Sequence, residues 1–228
     1  MIAATSRFTR ITVVLLIALL SIGVLVFQRG KWDKYYRHAL SHPPRQLVVD
    51  ALNLFPRNGK AIDLGCGAGN EATLLLNQGW RVWAVDSEPK AIQLLLTRAP
   101  DQERLVTTVA RFEELHWNLL PEVDLFCATY SLPFCNPKEF ANVWERITSK
   151  VAPGGRFAGH FFGLHYQGFN PKEMQSMTFL TKEEVLRLLQ GFDIEYFRES
   201  EEEGQSGTGR DIHSHVFEVI ARRKPHLD

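Results

Sequence analysis

The sequence has no surplus of charge: 26 Lys and Arg balance 26 Asp and Glu over 228 residues. Proteins that hold nucleic acid through its phosphates gather Lys and Arg on one face, so nucleic acid is not an expected partner. Cysteine is scarce. Cys66, Cys127 and Cys135 are odd in number and lack Cys-x-x-Cys spacing, which excludes a disulfide framework and a cysteine zinc site and suits a reducing compartment. There is no internal repeat, and the only biased patch runs from Glu199 through Gly209, read as a solvated turn between the last two strands.

Long uncharged runs are also missing, with one exception. Ile11 to Phe27 carries no charge and is flanked by Arg7 and Arg10 before it and Arg29, Lys31 and Lys34 after it. Its length, about 17 residues, suffices to span a bilayer as a helix. The rival is a cleaved signal peptide, with Ser21-x-Gly23 as the cleavage site, but the apolar run continues past it and lacks an Ala-x-Ala pattern. The expectation is a single-pass membrane anchor over 1–28, a juxtamembrane linker over 29–42 and one globular domain over 43–228. Denser basic residues on the C-terminal side place that domain in the cytoplasm.

With 45% hydrophobic residues the chain can bury one substantial core. Pro43 and Pro44 open a helix whose apolar residues Leu47, Val48, Ala51, Leu52 and Phe55 recur every three or four positions. Beyond Lys60, strand patterns at 60–64, 81–86, 104–110, 122–129, 155–163, 192–199 and 214–223 alternate with helices at about 69–78, 88–98, 137–151 and 181–190. Ser87 reads as an N-cap before Pro89, Asn136-Pro137 as N-cap and first helical residue, and Thr181-Lys-Glu-Glu184 as a capping box. Such alternation predicts an α/β fold: a doubly wound, seven-stranded Rossmann-like sheet, mostly parallel with an antiparallel last strand.

The most telling stretch is Ala61-Ile-Asp-Leu-Gly-Cys-Gly-Ala-Gly-Asn-Glu-Ala72, an apolar strand breaking into three alternating glycines. A dinucleotide fingerprint needs its third glycine at position 70, which is Asn70, so a nicotinamide-dependent oxidoreductase is disfavoured. Asp63-x-Gly65-x-Gly67-x-Gly69 resembles instead the first motif of class I S-adenosylmethionine (SAM) methyltransferases. A second acid, Asp86, ends the next strand pattern about twenty residues on, where such folds place the ribose-binding carboxylate. Val151-Ala-Pro-Gly-Gly-Arg156 extends the resemblance over about 43–223. Ala128-Thr-Tyr-Ser-Leu-Pro-Phe-Cys, His160-Phe-Phe-Gly, Met177-Thr-Phe-Leu-Thr-Lys-Glu-Glu and His215-Val-Phe-Glu-Val-Ile-Ala-Arg-Arg look like the tellurite-resistance-type or thiopurine-like small-molecule methyltransferases.

The resemblance implies SAM as cofactor, a small-molecule acceptor (thiol, chalcogen, amine or hydroxyl), and cofactor contacts at Asp63, Gly65, Gly67, Asp86, Phe112 and Glu113. Cys66, Asn70, Ser87 and Thr129 lie beside these and complete the expected cofactor set. The chain departs from its relatives at Leu164-His-Tyr-Gln-Gly and His213-Ser-His215, positions expected on the acceptor side. Tyr130, His165 and His213 are the residues expected to act on the acceptor, with His160 and His215 as further proton takers. A metal at 213 and 215 lacks a third ligand, and none is expected. Two alternatives stay open: a membrane-tethered SAM-binding scaffold or sensor without turnover, and transfer to a membrane lipid or protein.

Overall fold

The computed structural model describes residues 34–225. One sheet of seven strands runs through it in the order β3-β2-β1-β4-β5-β7-β6. The strands are β1 (Lys60–Leu64), β2 (Arg81–Asp86), β3 (Leu105–Val109), β4 (Val123–Ala128), β5 (Val151–Phe162), β6 (Phe192–Gln205) and β7 (Asp211–Arg223). The first five pair in parallel, and β7 runs antiparallel to both β5 and β6. The helices are α1 (34–40), α2 (Gln46–Asn53), α3 (Asn70–Asn77), α4 (Pro89–Arg98), α5 (Phe140–Lys150), α6 (Pro171–Gln175) and α7 (Lys182–Leu188).

Alternation along each strand divides the core. Ile62, Phe126, Phe157 and Phe217 pack one face under α5 and α7, while Ala61, Cys127, Ala158 and Ile220 face α2, α3 and α4. Parallel strands covered on both faces must be apolar on both, which is why these strands read as unbroken apolar runs. Cys66, Cys127 and Cys135 are free and buried.

Several expected boundaries move. The capping box at Thr181 is present, its hydroxyl accepting the Glu184 N–H. Glu88, not Ser87, caps α4, because Asp86 takes the Glu88 N–H at 2.9 Å. Asn136 instead holds a turn, accepting the Lys138 N–H, and α5 starts at Phe140. The acidic patch is no loop: β6 continues to Gln205, paired with β7 up to Asp211. Over 34–40 the stretch read as a linker is helical, with Tyr36 only 3% exposed against Ala68 and Ala91.

The membrane anchor is corrected. No helix among the described residues is long and apolar enough to cross a membrane. The longest, α5, has 11 residues with only the stripe Phe140, Val143, Trp144 and Ile147 buried, whereas a span needs about 20 apolar ones. The run at 11–27 lies outside the described residues. Over the described residues the fold is therefore the seven-stranded sheet with no membrane-spanning helix, and the single-pass membrane location is not retained.

Candidate active site

Strand order reverses between β1 and β4, and in such sheets ligands bind beyond the strand C-termini at that point. The loops there line one cleft of about 460 Å³. Gly65, Gly67, Asp86, Ser87 and Phe112 make one end, from the loops after β1, β2 and β3. Tyr130, Phe134, Phe162, Tyr166 and Phe169 make the other.

The glycine turn is built by backbone demands. Gly65, Gly67 and Gly69 have φ of 77°, 52° and 84°, a region that side chains disfavour. A Cβ on Gly65 would stand 2.3 Å from that of Ser131, so the β1 and β4 loops meet only without one. At Gly67 a Cβ would meet only Tyr35, at 3.8 Å, so its surface stays open to a ligand. Asp86 ties this turn to β2, one oxygen accepting the Gly67 N–H at 2.8 Å and the other the Glu88 N–H. Burial raises the Asp86 carboxyl from its ordinary value, against the lowering effect of backbone bonds from Glu88, Gly67 and Ser87.

Asp63 sits apart from the cleft lining. It is 1% exposed, and Oδ2 has no hydrogen-bond partner among the described residues. Burial first, then Glu71 and Asp86, raise its carboxyl well above the usual range. Asn70 is a clamp: its amide donates to the Ala39 and His42 carbonyls at 2.7 and 3.0 Å, and its oxygen accepts from Arg98. A recess of about 50 Å³ beside it is lined by Cys66, Asn70, Arg45 and Thr129. Thr129 also borders the main cleft. Glu113 points elsewhere, accepting the Asn136 N–H at 2.9 Å and pairing with Arg111.

Of the three residues expected on the acceptor, Tyr130 alone lines the cleft. It has φ of 53°, a strained value for a non-glycine residue. Its ring stacks on buried His160 at 4.1 Å, and the Arg45 guanidinium lies 4.6 Å from its centroid. Burial raises the Tyr130 hydroxyl, so it stays a neutral donor at physiological pH. Beneath it, His160 lies 3.6 Å from Glu218, which also takes Arg198 at 2.8 Å. Burial lowers the His160 imidazole; His160 and then Arg198 hold Glu218 down to about 2, against the opposing effect of burial.

His165 and His213 lie elsewhere. Along the β6–β7 ribbon Arg198, Ser200, Ser214 and Glu218 border the cleft, whereas His213 and His215 point the other way, toward Glu199 and Glu201; His213 also reaches Glu203, near the hairpin, which borders the cleft. The carboxylates of Glu203 and Glu201 raise the half-buried His213. Sequence reasoning missed Arg45 and Arg198 as cleft residues. Arg45 stands just before α2 with its N–H on Glu71, and no motif marks it.

Residues 61–155 match a family described as "Methyltransferase domain". Trans-aconitate 2-methyltransferase of Rhizobium meliloti (strain 1021) is 31% identical over 123 residues, 52% of this chain and 43% of that protein. The chain thus matches less than half the length of this curated relative. Among solved structures, TehB from Haemophilus influenzae superposes with a TM-score of 0.66 at 19% identity, over 79% of this chain and 62% of the other. The Burkholderia thailandensis 1,6-didemethyltoxoflavin-N1-methyltransferase, solved with 1,6-didemethyltoxoflavin and S-adenosylhomocysteine, gives 0.61 at 20% identity over 98% and 92%. At those identities the structural likeness is one of fold, while the family match falls on the strands and turn that build the cleft. Over residues 61–155, which hold β1 to β4 and the glycine turn, this chain is similar to methyltransferase domains.

Proposed function

We propose that the protein transfers a methyl group from SAM to a small-molecule acceptor seated at the aromatic end of the cleft. One observation carries this: a single cavity joins the Gly65–Gly67–Asp86 end to the ring-lined end. The residues fit the cofactor. Asp86 offers its carboxylate to ribose hydroxyls, Phe112 an apolar surface for the adenine, and Gly67 a backbone that a ligand can approach. Arg45 borders both recesses and has a carboxylate-binding guanidinium, suited to the methionine carboxylate. Glu113 is left out of this set by its turn away to Asn136.

When bound, SAM supplies an electrophilic methyl for in-line displacement, so the protein has only to align the acceptor and exclude water. The aromatic end is suited to a flat acceptor: Phe162 and Tyr166 stack 4.0 Å apart at 8°, and Phe134 meets Phe169 edge-on at 90°. Tyr130, a neutral phenol held by His160 and Arg45, orients the acceptor by donating a hydrogen bond rather than by taking its proton. The acceptors named for the relatives, trans-aconitate and 1,6-didemethyltoxoflavin, are small molecules too.

The test combines calorimetry of SAM binding with transfer from methyl-labelled SAM to fractionated lysate, low-mass, lipid and protein pools kept separate. Label entering the low-mass pool supports the reading. Binding without transfer into any pool makes the domain a sensor, and label in lipid or protein alone moves the acceptor out of the small-molecule class.

A further inference from the structure

On the ribbon face turned away from the cleft, three histidines and two glutamates, Glu199 and Glu201, converge. Glu201 is the hub: one oxygen lies 2.7 Å from Nε2 of His213 and 3.2 Å from Nδ1 of His165. His215, paired with Glu201 in the ribbon register, is buried beneath residues 163–165 and stacks on His165 at 4.9 Å. Its Nε2 lies 3.1 Å from Glu199, and its Nδ1 accepts the backbone N–H of His165 at 3.2 Å. Gly163 makes room for this ring, since a Cβ there would stand 2.1 Å from Nδ1. One ligand atom from each of His165, Glu201 and His215 falls within 4.8 Å of the other two.

We propose that His165, Glu201 and His215 bind a late first-row divalent ion of the zinc type. Two imidazoles and one carboxylate suit zinc, whereas magnesium and calcium prefer oxygen alone. Metal–ligand bonds of about 2.1 Å set tetrahedral ligand atoms about 3.4 Å apart, so the site must contract by about an ångström or more. The side chains that need to move are the exposed ones, His165 at 65% and Glu201 at 43%. The tautomer of His215 that donates from Nε2 to Glu199 leaves the Nδ1 lone pair as donor atom. The ion replaces the long backbone bond now made there, and Glu199 orients the ring as second-sphere carboxylates do. The third ligand was not readable around 213 and 215, because it comes from residues 12 to 50 positions away in the sequence, joined by strand register. Since Tyr166 and Gly168 border the cleft, the ion would pin the loop 163–168, a wall of the acceptor end, to the ribbon.

The test uses the full, untagged chain, stripped with a chelator and titrated calorimetrically with zinc chloride and, in parallel, magnesium chloride. A single zinc ion per chain and no magnesium binding are expected. His165→Ala and Glu201→Gln, at exposed positions, should each weaken zinc binding about tenfold or more. Zinc should raise the melting temperature of the native protein but not that of His165→Ala. His42→Ala, which breaks the His38–His42 ring pair near α1, should leave zinc affinity intact. No saturable zinc binding, full affinity in both site variants, or loss only in His42→Ala overturns the proposal.

Discussion

At the scale of single residues, the division between the two ends of the cleft makes two predictions. Asp86→Ala removes the carboxylate proposed for the ribose and should weaken SAM binding by about 1.5–3 kcal/mol, read by calorimetry. The same change strands the Gly67 and Glu88 N–H groups. Asp86→Asn keeps one of the two acceptor oxygens and so disturbs the turn less than Asp86→Ala while still removing the charge. Affinity within about twofold of native in both variants removes Asp86 from the cofactor site. Tyr130→Phe keeps the ring on His160 and under Arg45 and removes only the hydroxyl. It should leave SAM affinity unchanged and lower kcat by about tenfold, as for a residue that meets the acceptor and not the donor. An equal fall in SAM affinity would assign Tyr130 to the cofactor.

At the scale of elements, β4, β5, β6 and β7 meet at the Tyr130–His160–Glu218–Arg198 stack, which makes stability sensitive to acid. The folded pKa of His160 lies below its unfolded value of about 6.5. The unfolded chain therefore binds the proton first, and stability falls as pH drops below about 6.5. Glu218, held down to about 2, behaves with the same sign. Its contribution is complete above the unfolded value of about 4.3 and is lost as pH falls toward about 2. Asp63 and Asp86 are raised and run the other way, so the readout is a difference. Melting temperatures of native protein and Glu218→Gln should diverge above about pH 5 and converge below about pH 3. A constant gap across that range would mean that Glu218 contributes by packing rather than by its charge.

At the scale of the whole molecule, α1 and the β6–β7 hairpin close on the cleft from opposite ends of the chain. Tyr35 lies under Gly207, where a Cβ would stand 3.0 Å from the ring, and Tyr35, His38 and Thr208 share the cleft lining. Asn70 ties α1 to the glycine turn through the Ala39 and His42 carbonyls. Asn70→Ala removes both hydrogen bonds and should therefore raise amide exchange over 34–42 by about tenfold or more and speed SAM release. Unchanged exchange would show that Tyr36, packed on Ala68 and Ala91, holds α1 unaided.

What the sequence determined by itself was local. Strand and helix alternation, the left-handed glycine turn, Asp86 at the end of β2 and the capping box at Thr181 all depend on period and turn chemistry within a few residues, and each was legible there. Tertiary structure decided which side each group faces. One step of register separates His213 and His215 from Ser214 and Val216, and that step turned the expected acceptor residue His213 and the further proton taker His215 away from the cleft. Asp63 and Asp86 look equivalent as strand-end acids, yet Asp63 is sealed by packing around α3 while Asp86 opens on the cavity. Arg45, before α2, reaches Tyr130, after β4, only because the sheet brings those segments together. Contacts of that kind depend on strand order and burial, which no stretch of sequence contains.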